Sequence, residues 1–134
     1  MTGQTILIIE DNPLNLELAR DVLQTAGYGV LEARSAEEGL KLAWAAVPDL
    51  ILLDIRLPGM NGLDAVRDLK RDLRTRNIPV VALTAQAMRG DEEAAFAAGF
   101  NGYITKPINT RTLSTEVRRW LGSLDGVDQR RSGA

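Results

Sequence analysis

Asp49-Leu50-Ile51-Leu52-Leu53-Asp54-Ile55 decides how this chain folds. Four consecutive apolar residues without polar alternation describe a strand covered on both faces, and the run stops on a carboxylate. Three further runs stop on polar residues in the same way, the last of them polar enough itself to be an edge strand. Ile6-Leu7-Ile8-Ile9 stops at Glu10-Asp11, Val80-Val81-Ala82-Leu83 at Thr84, and Tyr103-Ile104-Thr105 at Lys106. As parallel strands of one sheet, these runs would align their carboxyl ends along one edge, where open α/β sheets bind ligands. Three carboxylates, a hydroxyl and an ammonium would then share that edge. Such a set suits a divalent cation and a phosphoryl group.

Helical periodicity fills the gaps between runs. Leu14, Leu18, Val22 and Ala26 recur every four residues, with Ala19 and Leu23 beside them. Asp11 or Asn12 can cap this first helix, Pro13 suits its first turn, and Gly27 ends it. A short second strand follows at Gly29 to Ala33. Ser35-Ala36-Glu37-Glu38 is a capping box for a second helix with Leu40, Ala43 and Val47 on its apolar face, closed by Pro48. Leu63, Val66, Leu69 and Leu73 mark a third helix, Ile78 to Leu83 the fourth strand, and residues from about Gln86 to Ala98 an alanine-rich fourth helix. Asn109 or Thr110 caps a last helix with Leu113, Val117, Trp120 and Leu121. The pattern predicts one α/β domain over 1–122, a flavodoxin-like, doubly wound, five-stranded parallel sheet with five helices and strand order 2-1-3-4-5. A disordered C-terminal tail is expected over 123–134.

Composition narrows the chemistry. The 134 residues carry 45% hydrophobic side chains, a net charge of -2, no cysteine and no histidine. Thiol chemistry, thiolate metal sites and imidazole bases are excluded. The charge offers no footprint for nucleic acid, and no apolar run approaches the roughly 18–20 residues that span a bilayer. Without a secretory signal pattern, the expected location is cytoplasmic.

Carboxylates crowded into one concavity repel each other unless a cation sits between them. Asp11 and Asp54 are the more direct ligands for Mg²⁺, with Glu10 acting through water or orienting them, and a backbone carbonyl after the third strand adding another. Asp54 has a second capability, attack on phosphorus to give an acyl phosphate, which requires no histidine base. Each residue alone has a plainer reading: helix N-terminal charge, turn former, cap or solvated lysine. Their concurrence at four run ends, in this order, favours function.

At this point the chain resembles the receiver domain of bacterial two-component response regulators, from about Gln4 to Leu121. The resemblance rests on Ile8-Ile9-Glu10-Asp11-Asn12, on Pro48 through Gly62, on Ala82-Leu83-Thr84-Ala85, and on Gly102-Tyr103-Ile104-Thr105-Lys106-Pro107. Asp11-Asn12-Pro13-Leu14-Asn15 is further similar to receivers of hybrid kinases and to DivK-like single-domain regulators. The resemblance implies that Asp54 accepts a phosphoryl group from a phosphohistidine on a sensor histidine kinase or histidine phosphotransfer protein. It implies Mg²⁺ (with Mn²⁺ as a substitute) at Glu10, Asp11, Asp54 and the main-chain oxygen of Arg56. Thr84, Ala85 and Lys106 would hold the phosphoryl oxygens, Tyr103 would act as the switch aromatic, and a cis peptide would precede Pro107. Donor docking would fall on Leu14, Asn15, Leu18 and Pro107.

Output is then expected to reach a downstream protein effector through helix 4, strand 5 and helix 5, leaving room for a homodimer. No nucleic-acid or membrane partner and no turnover of external substrates are expected. A haloacid-dehalogenase-type phosphatase would carry a second Asp where Arg56 stands, and an FMN carrier would not place Glu10-Asp11 against phosphate.

Overall fold

The computed structural model describes residues 3–85 and 89–121. Strands β1 (Thr5–Ile9), β2 (Gly29–Ala33), β3 (Leu50–Asp54), β4 (Val80–Thr84) and β5 (Gly102–Thr105) pair in parallel in the order β2-β1-β3-β4-β5. Between them run α1 (Pro13–Thr25), α2 (Ala36–Ala46), α3 (Gly62–Arg71) and α4 (Arg89–Ala98), and α5 follows over 113–121. The flavodoxin-like architecture is the one expected from the sequence. No described helix is long and apolar enough to cross a membrane.

Strand alternation divides the core into two halves. Ile6, Ile8, Leu50, Leu52, Val81, Leu83 and Ile104 face one way and pack with Leu16, Ala19 and Leu23 of α1 and Leu113, Val117 and Leu121 of α5. Leu7, Ile9, Ile51, Leu53, Val80 and Ala82 face the other way, toward Leu40 of α2, Val66 and Leu69 of α3, and Ala95 and Ala98 of α4. Every residue of β3 and β4 is buried, because helices cover both faces of the middle of the sheet.

Side-chain caps fix where the helices begin. Asn12, rather than Asp11, caps α1 by accepting from the Leu14 and Asn15 N–H groups at 2.9 and 3.1 Å. Ser35 caps α2 through Glu38 N–H at 3.1 Å, while Glu38 accepts at 3.0 Å from Arg34, one residue upstream of the usual capping-box donor. Asn109 accepts from Arg111 N–H at 2.9 Å ahead of α5.

Two helix ends differ from the sequence expectation. Val47 does not continue the apolar face of α2. It is the C-cap, left-handed at φ 47°, and 47% exposed, because the following proline disfavours the right-handed helical region at this position. Leu73 does not belong to α3, which stops at Arg71. Asp72 is extended and accepts from Arg74 N–H at 2.8 Å, which turns the chain and leaves Leu73 75% exposed. β4 begins at Val80 rather than Ile78, since Pro79 has no N–H for the ladder. The expected start of α4 at Gln86 and the expected tail over 123–134 lie outside the described residues.

Candidate functional site at the carboxyl edge of the sheet

The same alternation that builds the core positions the polar residues. Glu10 extends the stripe Ile6–Ile8, Asp54 extends Leu50–Leu52, and Lys106 extends Ile104, all on the α1/α5 side of the sheet. The three side chains meet there. Lys106 Nζ lies 2.8 Å from Glu10 Oε1 and 2.9 Å from Asp54 Oδ2. Asp11 follows the end of β1, where the chain turns into α1, and joins the group: ligand-capable oxygens of Glu10, Asp11 and Asp54 all lie within 4.8 Å of one another.

Local hydrogen bonds hold the two buried carboxylates still. Asp54 Oδ1 accepts from Arg56 N–H at 2.9 Å, an Asx-type turn that directs the chain away from β3. Glu10 Oε2 accepts from Asn12 N–H at 3.1 Å. Gly62 lets α3 approach closely, for a Cβ at this position would fall onto the main-chain oxygen of Asp54. Its N–H donates to Ile55 O at 2.9 Å and closes the loop below the site. At the rim, Arg34 Nη2 is 3.4 Å from Asp11 O.

The electrostatics of the cluster suit a cation. Glu10 is fully buried, and that burial pushes its carboxyl above the usual carboxylate range; the charge of Asp54 adds to the effect, while Lys106 and the Asn12 N–H oppose it. Burial disfavours the Lys106 ammonium, but its hydrogen bonds to Glu10 and Asp54 outweigh this and hold its pKa above the ordinary lysine value. One ammonium against three carboxylates leaves two negative charges uncompensated when all are ionised. Glu10 Oε1 has the Lys106 ammonium at 2.8 Å as its partner. An all-oxygen donor set with an excess of two charges fits a hard divalent ion such as Mg²⁺.

The remaining sequence-selected residues occupy two places. Thr84 ends β4, is only 6% exposed, and takes Lys106 N–H on its carbonyl at 2.7 Å; Ala85 beyond it is exposed. Tyr103 registers with Ala82, so it and Thr84 lie on the α4 side of the sheet, opposite the acidic stripe. The Lys106–Pro107 peptide bond is cis. Leu14, 63% exposed, stands with Asn15 and Leu18 on the first turns of α1, apart from the carboxylates. Sequence reasoning missed Phe96, whose ring meets that of Tyr103 edge to face at 6.2 Å and 74°. The available signal was one large aromatic in a helix otherwise rich in alanine. An open groove between α1 and α5, lined by Asp21, Val22, Thr25, Ala26, Thr110 and Ser114, shares no residue with the acidic site.

Comparison with known proteins agrees with this geometry. The family profile of the response regulator receiver domain matches residues 6–118. The polar-differentiation response regulator DivK of Brucella ovis is 44% identical over 119 residues, spanning 89% of this chain and 97% of that protein. A crystal structure of a response regulator from Chloroflexus aurantiacus superposes with a TM-score of 0.85 at 33% identity, over 90% of this chain and 99% of that one. The receiver domain of the sensor histidine kinase PA1611 of Pseudomonas aeruginosa, solved with a magnesium ion coordinated in its active-site cleft, gives 0.83 at 36% identity, over 90% and 99% of the two chains. Buried acids, bridging lysine, sheet order and sequence therefore converge, and the chain belongs to the response regulator receiver domain family of two-component signalling.

Proposed function

We propose that Asp54 is the phosphoryl acceptor and that its donor is a phosphohistidine on a sensor histidine kinase or histidine phosphotransfer protein. An Asp54 oxygen forms the new P–O bond as the P–N bond breaks, and the imidazole leaves with its electron pair and takes up a proton. The observation that carries this reading is the placement of Asp54: buried at the end of β3, with Oδ1 on a backbone N–H, Oδ2 on Lys106, and two further carboxylates within reach.

Mg²⁺, or Mn²⁺ in its place, would be held by Glu10, Asp11, Asp54 and the main-chain oxygen of Arg56, where it supplies neutralisation of phosphoryl charge. The chain's own groups do the rest. Lys106 turns its ammonium to a phosphoryl oxygen, and the Thr84 hydroxyl and Ala85 N–H receive the others. Phosphorylation adds about -1.5 to -2 charge, and drawing Thr84 toward it frees space that Tyr103 fills. The altered α4–β5–α5 surface then engages a protein effector in the cytoplasm, and the same surface is where a homodimer would form. The donor docks over Leu14, Asn15, Leu18 and Pro107.

Members of this family are signalling proteins rather than turnover enzymes. Incubation with acetyl phosphate and Mg²⁺ should add one phosphoryl group by intact mass, and Asp54→Asn should abolish the addition. Undiminished labelling of that variant would remove Asp54 from this role.

A further inference from the structure

Phe96 needs an explanation that core packing does not supply. Within α4, Ala95 and Ala98 are buried under the helix, whereas Phe96 is 49% exposed. A phenyl ring half in water gains little from burial at that position and has weaker helix propensity than the alanines around it. What the ring does touch is Tyr103, at a centroid separation of 6.2 Å and an interplanar angle of 74°, the edge-to-face arrangement in which aromatic quadrupoles attract.

Tyr103 lies in the edge strand, half-buried, one alternation step below the rung where Thr105 pairs with Thr84. We propose that Phe96 is a positioning residue for Tyr103: its ring holds the tyrosine against α4 in the unphosphorylated protein and thereby sets the resting balance of the switch. The inference deepens the reading of Tyr103 as the switch aromatic and rests on it. Edge-to-face pairs bias a two-state equilibrium about two- to tenfold, enough to set a basal level without locking the switch. The contact lies on the α4 side of the sheet while the carboxylates lie on the α1/α5 side, so its removal leaves cation affinity alone.

The test compares Phe96→Ala, Phe96→Leu and Phe96→Tyr by NMR, with Mg²⁺ titration as the control for an intact acidic site. In the unphosphorylated wild type, the Tyr103 χ1 couplings should report one dominant rotamer. Phe96→Ala should average them and move the Thr84 amide about two- to tenfold further in population toward its position in acetyl-phosphate-treated wild type. Phe96→Tyr should restore wild-type couplings, and Phe96→Leu should fall between, since it keeps bulk but lacks the quadrupole. Unchanged Tyr103 couplings in both Phe96→Ala and Phe96→Leu would overturn the proposal. So would full restoration by leucine, which would leave simple packing as the cause. The couplings require no phosphoryl transfer, so a wild type that gains no mass would sink the acceptor role of Asp54 separately.

Discussion

Arg74 wraps the Asp72 carboxylate with its own N–H at 2.8 Å, Nε at 3.1 Å and Nη2 at 2.8 Å, while its guanidinium sits 5.7 Å from the Trp44 ring centroid. Those bonds, the guanidinium's first, lower the Asp72 pKa from 3.8 to about 2. A depressed acid stabilises the fold above its ordinary value, and this contribution fades as pH falls through the lower one. The Asp72 carboxyl carbon should therefore titrate near 2, and in Arg74→Ala its midpoint should climb most of the way to 3.8, with the backbone N–H retaining the remainder. Lys106 has the opposite sign: its stabilisation is complete below 10.5 and disappears as pH rises through its higher folded-state value. Lys106→Met leaves Glu10 and Asp54 buried together without their cation. We expect it to cost about 3 kcal/mol by urea unfolding at neutral pH without Mg²⁺. The gap from wild type should close at pH values where Lys106 itself is neutral. Equal stability of the two proteins at pH 7 would show that the bridge contributes nothing. That one ammonium spans both acids was not legible in the sequence, where Lys106 stands 96 positions from Glu10 and 52 from Asp54.

Elements were legible where apolar runs and capping residues are strong, and less so at helix C-termini. All five strands stand where the runs and the Gly29–Ala33 segment indicate, and β1, β3 and β4 were the plainest because a buried parallel strand has few alternatives to an unbroken apolar stretch. Val47 and Leu73 were misjudged because helical spacing continues past the point where Pro48 and the Asp72 side chain redirect the backbone. Asn101 illustrates a tie that no periodicity reveals. Its Oδ1 takes Val80 N–H at 2.8 Å and Lys70 Nζ at 3.0 Å, linking α3 to the starts of β4 and β5. At the seam between β3 and α3, Gly62 permits backbone contact with Asp54 and with Ile55, whose Cα would lie 2.7 Å from an added Cβ. Both obstacles are main chain, so neither can rotate away. Gly62→Ala should destabilise by about 1–3 kcal/mol in thermal or chemical unfolding. It should also slow acetyl-phosphate labelling, because relieving the clash displaces Asp54 itself.

Over the whole molecule, a ligand that binds only the folded state raises stability by mass action. Mg²⁺ at one hundred times its Kd should add about 2.7 kcal/mol, seen as a rise in Tm that a chelator reverses. Asp54→Asn should lose much of that rise, and an unchanged rise would place the ion elsewhere. The fold class could be read from the sequence almost completely, since apolar runs that alternate with helical stretches admit few sheet layouts. The side of the sheet on which each polar residue lies emerged only from the register. By strand alternation Glu10, Asp54 and Lys106 continue the stripes that pack under α1 and α5, whereas Tyr103 packs against the half-core under α4 and Thr84 shares its parity there. A single layer of backbone thus separates where the covalent mark would be written from where it would be read. Yet because α5 belongs both to the reading surface and to the flank where α1 lies, writer and reader would meet there, and one would have to leave before the other arrived.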